Sequence, residues 1–215
     1  MAFQTKTKKE IFEQTIMKNI RRKSKYIDKV QMRDGIPLFS WIDINVTELC
    51  NRKCVFCPRN EPSVYPNQNL NMEVSLAKKI ADELKKYRFS GGVIFSGNSE
   101  PLLHNDIVEI VGIFGKSIHT ELVTNGDKLN ENLLRELIAQ GLGVILVSMY
   151  DGPHQVDYFK NMFARIGLTQ GQYVLRDRWY GIKEDYGLKL TNRAGTVKNG
   201  NQEELSGNRP CFYMH

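Results

Sequence analysis

From residue 39 onward the chain alternates short apolar runs with amphipathic stretches, and this alternation limits the possible folds more than any other feature. Ile42, Ile44 and Val46 lie in a strand-like run, and Leu76, Ile80, Leu84 and Tyr87 then recur at the spacing of one helix face. Gly91 and Gly92 break that helix. Val93-Ile94-Phe95 is a continuous apolar run of the kind buried in parallel sheets, and a helix follows through Ile107, Val108, Ile110, Val111 and Phe114, with Gly115 placed to cap it. A third strand near 118–123 leads to a helix carrying Leu133, Leu134, Leu137 and Ile138, which stops at Gly141. A fourth strand, Val144 to Val147, precedes a helix with Val156, Phe159, Phe163 and Ile166, and further strand candidates lie near 172–176 and 187–191. Strand–helix units with short links imply parallel strands joined by right-handed crossovers, hence an α/β layer or a partial barrel. Either architecture gathers its working loops at the strands' C-terminal ends.

Four unusual loops follow successive strands and should share that rim. They are the segment from Cys50 to Cys57, Gly97 to Pro101, Thr124 to Gly126, and Ser148 to Gly152.

Cys50, Cys54 and Cys57 form a C-x-x-x-C-x-x-C run. Three thiolates at this spacing can each reach a different corner of a [4Fe–4S] cube and leave one iron without a protein ligand. A zinc site is the second reading, with Cys211 or His104 as the fourth ligand, and unligated thiols are the third. A disulfide framework is disfavoured, because the start of the chain lacks the apolar core of an export signal and the cytosol keeps thiols reduced. No run of about 18 apolar residues suggests a membrane span, so a cytoplasmic protein is expected.

The net charge of +6 comes from residues 1–30, which carry nine Lys or Arg against Glu10, Glu13 and Asp28. Everything beyond balances at twenty-one basic and twenty-one acidic residues, which argues against a nucleic-acid-binding face on the main domain. Within this opening segment Ile11, Phe12, Ile16, Met17 and Ile20 have the spacing of a basic amphipathic helix.

The segment Cys50-Asn51-Arg52-Lys53-Cys54-Val55-Phe56-Cys57 resembles the signature loop of the radical S-adenosylmethionine (SAM) superfamily, and the likeness extends over roughly residues 39–152. The resemblance implies a cluster-bound SAM and its reductive cleavage to a 5′-deoxyadenosyl radical. It places Phe56 against the adenine, and it likens Ser96-Gly97-Asn98-Ser99-Glu100-Pro101 to the family's G-G-E-P loop, with Glu100 accepting from the SAM amino group. Asn98 and Ser99 stand where glycines are frequent, which departs from the pattern. Thr124, Asn125 and Ser148 resemble the polar strand ends that reach the ribose or carboxylate, with Ser148 preferred for the ribose. Lys160 and Arg165 are candidates to pair with the SAM carboxylate. Arg52, Lys53 and Arg59 would make the potential around the thiolates more positive, or simply be solvated loop charges.

Residues 191–215, with Arg209-Pro210-Cys211, resemble the opening of a SPASM or twitch extension whose later cysteines are missing. That likeness implies a truncated chain or a partner that completes an auxiliary cluster. The expectation is therefore a partial (β/α)6 TIM-like barrel over 37–192, a basic helical extension over 1–36, and an incomplete cysteine-containing extension over 193–215. The implied activity is hydrogen abstraction from an organic substrate, a peptide side chain first and a sugar-type metabolite next, with a reductase or flavodoxin-type electron donor. A non-catalytic iron–sulfur or zinc protein is the competing reading, and the sequence names no catalytic acid or base.

Overall fold

The computed structural model describes residues 17, 20–24, 30–54 and 57–178. Met17 and residues 20–24 are helical; the remaining residues of the expected basic helix, the strand candidate near 187–191, and Phe56 and Cys211 lie outside the described residues. A small hairpin, β1 (Met32–Arg33) and β2 (Ile36–Pro37), precedes the main sheet. Its turn places Asp34 and Gly35 at positive φ, the geometry that matches the twist of two short antiparallel strands.

The main unit then runs β3 (Trp41–Ile44), α1 (Val74–Lys86), β4 (Gly92–Phe95), α2 (Ile107–Gly115), β5 (His119–Thr124), α3 (Glu131–Ala139), β6 (Val144–Met149), α4 (His154–Ile166) and β7 (Tyr173–Asp177). The five strands from β3 to β7 pair in parallel and in sequence order. Because the order never reverses, the sheet has no switch point of the doubly wound kind, and every right-handed crossover puts its helix on the same face. This is the wall of a partial TIM-like barrel.

Alternation along the strands separates two chemistries. Ile44, Val93, Phe95, Leu122, Ile145, Val147 and Met149 point to the helices and join Ala77, Ala81, Ile110, Val111, Phe114, Leu134, Leu137, Phe159 and Phe163 in one core. The opposite positions carry Ile94, Val144 and Leu146 low in the sheet and Asp43, Ser96, Glu121, Ser148 and Arg176 among them, so the barrel's inner face is mixed and holds all of the sheet's buried charge.

Two expected details are corrected. Leu76 and Tyr87 are exposed, because α1 turns Ala77 and Ala81 inward and ends before Tyr87, which caps it. Gly115 is the last residue of α2, with Lys116 at the cap. Its missing side chain serves packing, since a Cβ there would meet the Gln140 carbonyl at 2.5 Å.

Candidate active site

The cysteine loop leaves β3 and is held from below by the segment that follows it. Glu48 N–H donates to Leu70 O, and Met72 N–H donates to Val46 O, both at 2.8 Å. Cys50 N–H donates to Asn67 Oδ1 at 2.8 Å, and Cys57 N–H donates to Cys54 O at 2.9 Å, which ties the third cysteine to the second. All three thiols are half-buried. Burial raises the pKa of Cys50 and Cys54 above the ordinary thiol value, so a positively charged metal centre would be needed to keep them as thiolates.

Neither the zinc reading's ligand count nor its geometry is met by His104. That residue is buried, its Nε2 lies 2.9 Å from Met72 O, and its Nδ1 accepts from Asp106 N–H at 3.0 Å. Among the described residues no three His, Cys, Asp or Glu side chains gather as the ligands of a single metal ion would. Cys211, the other candidate for a fourth zinc ligand, lies outside the described residues, and three thiols on one loop are the donor set that a cluster with one open corner takes.

The second loop reaches the cysteine loop through its backbone: Ser96 N–H donates to Ile44 O at 3.1 Å, and Glu100 N–H donates to Leu49 O at 2.8 Å. Gly97 has φ +116°, and a Cβ there would meet Asn45 Oδ1 at 2.7 Å, so glycine is required at this position. The Asn45 amide, with its nitrogen 3.2 Å from Ser96 O and 3.0 Å from Thr47 O, also bonds the Ser99 hydroxyl. The Asn98 carbonyl accepts from Arg59 Nε. Asn98 and Ser99 thus occupy the family's glycine positions with bonds of their own, and the loop closes.

Glu100 is buried and its carboxylate gathers three donors. Leu102 N–H and the Thr124 hydroxyl donate to Oε1 at 3.1 and 2.7 Å, and Asn125 N–H donates to Oε2 at 2.7 Å. Burial raises its pKa and these bonds oppose the rise. The structure therefore makes Glu100 a brace between the loops after β4 and β5. Thr124 is committed to it, and its Oγ1 also accepts from Gly126 N–H at 3.0 Å. Ser148 is buried at the end of β6 beside Tyr150, whose pKa burial pushes above the usual phenol range.

Arg52 and Arg59 are structural cations, which the sequence left undecided. Arg59 is only 3% exposed, stacks on Tyr65 at 4.6 Å, and donates through Nη1 to Pro66 O and Asn67 Oδ1, both at 3.2 Å. Arg52 lies between two carboxylates. Its Nε and Nη2 donate to Asp127, and its Nη1 and Nη2 donate to Asp151 at 2.8 and 2.6 Å. Although it is shared by two carboxylates, the Arg52 charge still favours the Cys54 thiolate, and Arg59 favours that of Cys50, each against the larger effect of burial. The bonds from Arg52 in turn lower the pKa of the Asp151 carboxyl. Asn45, Asn67 and Asp127 carry no sequence signal of their own.

Arg165 is not placed for a SAM carboxylate. It donates to Glu131 at 2.6 Å across the outer α3–α4 contact, and Lys160 is exposed on the same helix.

The parallel strands of a partial barrel thus carry a three-cysteine loop after β3, braced by the strand-end loops that follow β4, β5 and β6. Residues 44–166, more than half of the chain, match the family model of the radical SAM superfamily, and the chain belongs to that superfamily. It is similar to the S-adenosyl-L-methionine-dependent 2-deoxy-scyllo-inosamine dehydrogenase of Niallia circulans, with 28% identity over 165 residues covering 75% of this chain and 62% of the relative. The Fe-coproporphyrin III synthase of Methanosarcina barkeri is 29% identical over 189 residues, which cover 84% of this chain and 44% of that protein. The crystal structure of BtrN in complex with AdoMet and 2-DOIA superimposes with a TM-score of 0.59 at 27% identity, covering 74% of this chain and 62% of that one. The chain thus spans less than two thirds of the length of the proteins it resembles.

Proposed function

We propose that the chain forms the catalytic part of a radical SAM enzyme, with Cys50, Cys54 and Cys57 holding a [4Fe–4S] cluster and the loops after β4, β5 and β6 holding SAM. The carrying observation is the three-thiol loop, with His104 committed elsewhere, set on the rim where the other three loops converge. Held by these cysteines and reduced, a cluster would supply the electron for cleaving the SAM carbon–sulfur bond, and with it the hydrogen-abstracting chemistry of the enzyme.

The chain's own residues bind and orient. Glu100 Oε2 receives one internal donor, which leaves it capacity to accept from the SAM amino group. Gly97 lets the backbone approach the ligand, while Asn98 and Ser99 hold the loop's shape. Asn125 and Ser148 line the ends of β5 and β6 for the ribose and carboxylate, and Phe56 belongs to the adenine side.

Of the two substrate classes, a small hydroxylated metabolite is favoured over a peptide side chain. The polar groups of the inner face support this, because Asp43 keeps a partly exposed carboxylate within the sheet and accepts from the Ser96 hydroxyl at 2.7 and 2.8 Å. The similarity to an inosamine dehydrogenase points the same way. The electron donor is proposed to be a reductase or flavodoxin-type protein, the setting cytoplasmic, and Cys211 the opening of a SPASM-type extension.

Anaerobic reconstitution tests this reading. About four irons per chain, with 5′-deoxyadenosine released from SAM and dithionite, is the expected result. Tight zinc binding without SAM cleavage would overturn it in favour of a non-catalytic metal protein.

A further inference from the structure

We propose that Arg52 is a positioning residue that fixes the cysteine loop in its ligand-ready shape and couples cluster retention to SAM binding. This rests on the reading that the three cysteines hold a cluster. The guanidinium is planar, and its edges are used by two carboxylates at once. Asp127 takes the Nε/Nη2 edge, with Nε to Oδ2 at 2.7 Å, and Asp151 takes the Nη1/Nη2 edge at 2.8 and 2.6 Å. Two forks on one plane fix both the position and the rotation of the side chain. Its face is covered as well, since Tyr150 lies 5.1 Å away.

The neighbouring residue repeats the tie. Asn51 Nδ2 donates to Asp127 Oδ2 at 2.6 Å, and Asn51 Oδ1 accepts from Asn125 Nδ2 at 2.8 Å. Two of the three residues between Cys50 and Cys54 are therefore bonded to the loop after β5. Asp127 N–H donates to Asn125 Oδ1 at 2.9 Å, and Asn125 N–H donates to Glu100. A continuous set of bonds runs Asp151–Arg52–Asp127–Asn125–Glu100, joining the cysteine loop to each of the loops proposed to hold SAM.

Ordinary exposed ion pairs contribute little to stability. This one spans 75 residues to Asp127 and 99 to Asp151, and its side chains are 20%, 25% and 50% exposed. The fold's stability comes from the core under the helices, which the clasp does not touch. Its effect should appear in the loop, where the spacing of Cys50 and Cys54 is set before any ligand arrives.

The test compares the full wild-type chain with Arg52→Ala, Arg52→Lys and Asp151→Asn, each reconstituted anaerobically with ferrous iron and sulfide. Cluster half-life against a chelator, the SAM concentration that shifts the reduced cluster's EPR spectrum, and circular dichroism of the apo chain are measured. Arg52→Ala is expected to keep the apo spectrum, to shorten the cluster half-life about tenfold and to raise the SAM midpoint about tenfold. Arg52→Lys should resemble Arg52→Ala, because a lysine keeps the charge but cannot make two forks. Asp151→Asn, which changes only the more exposed half, should show a smaller loss in the same direction and serves if Arg52→Ala does not fold. Half-lives and SAM midpoints within about twofold of wild type, or full function in Arg52→Lys, would overturn the proposal. A wild-type chain that takes up no cluster at all would instead remove the functional reading beneath it.

Discussion

The two faces of the same five strands obey different rules. Toward the helices, Phe95, Leu122, Ile145 and Val147 are wholly or almost wholly buried and packed against apolar side chains. Toward the barrel interior the same strands carry Asp43, Ser96, Glu121, Ser148 and Arg176. The outer face holds the fold together and does no chemistry. The inner face and the rim above it spend polar groups that a purely structural sheet would not carry. Changes on the rim should therefore abolish chemistry and spare the fold, and changes on the outer face should do the reverse.

The sharpest separation is expected from Cys54→Ala. It should reduce reconstituted iron from about four per chain to well under one and eliminate 5′-deoxyadenosine formation. The apo chain should melt within a few degrees of wild type, because Cys54 is half-buried on a loop outside the core. Iron analysis beside circular dichroism checks both halves. On the other face, Phe95→Ala should cost about 3–5 kcal/mol, read as a lower urea midpoint. Phe95 is fully buried and stacks edge-on against Phe114 at 5.7 Å, so truncation leaves a cavity that the sheet and α2 cannot both close. A Phe95→Ala chain with wild-type stability would break the proposed division.

Gly115→Ala probes the outer layer more gently, with an expected cost of about 1–3 kcal/mol in the same urea experiment. The added methyl would meet the Gln140 and Gly141 carbonyls at 2.5 and 2.9 Å, which is backbone and cannot rotate aside.

This same division governs how much the sequence disclosed. The outer face was legible because apolar spacing at periods of 3.6 and 2 is a property of neighbouring residues, and each helix and strand predicted within the described residues forms where that spacing put it. The cysteine loop was legible because three thiols at fixed intervals have few other uses. Arg52 and Arg59 were visible as charges, but their partners depend on which loops the barrel brings together. Asp127 and Asp151 stand 75 and 99 residues from Arg52, and although Asp151 lies in a loop marked as unusual, nothing local pairs either with Arg52. Glu100 was identified as a site residue, yet its bracing of Thr124 and Asn125 needed the β4–β5 register. The hairpin of β1 and β2 escaped because two-residue strands leave no periodicity to read.

The smallest predicted effect tests the inner face through its sign. Burial raises the pKa of Asp43, with the Ser96 hydroxyl and Lys23 opposing the rise. The folded chain therefore holds the Asp43 proton more tightly than the unfolded chain, whose aspartates titrate near about 4. Below that value both states are protonated and the residue has no pH-dependent effect. As pH rises through the window between the unfolded value and the raised folded one, the unfolded state loses its proton first and the fold loses stability. Asp43→Asn removes this loss while keeping an oxygen for Ser96. The variant should match wild type at low pH and exceed it slightly near neutrality, by well under about 1 kcal/mol because Asp43 is only partly removed from water and its charge is screened. Urea midpoints measured across the pH range give the difference directly. A variant that loses stability with rising pH relative to wild type would mean that the carboxylate supports the fold, and would end the distinction between a structural outer face and a ligand-ready inner one.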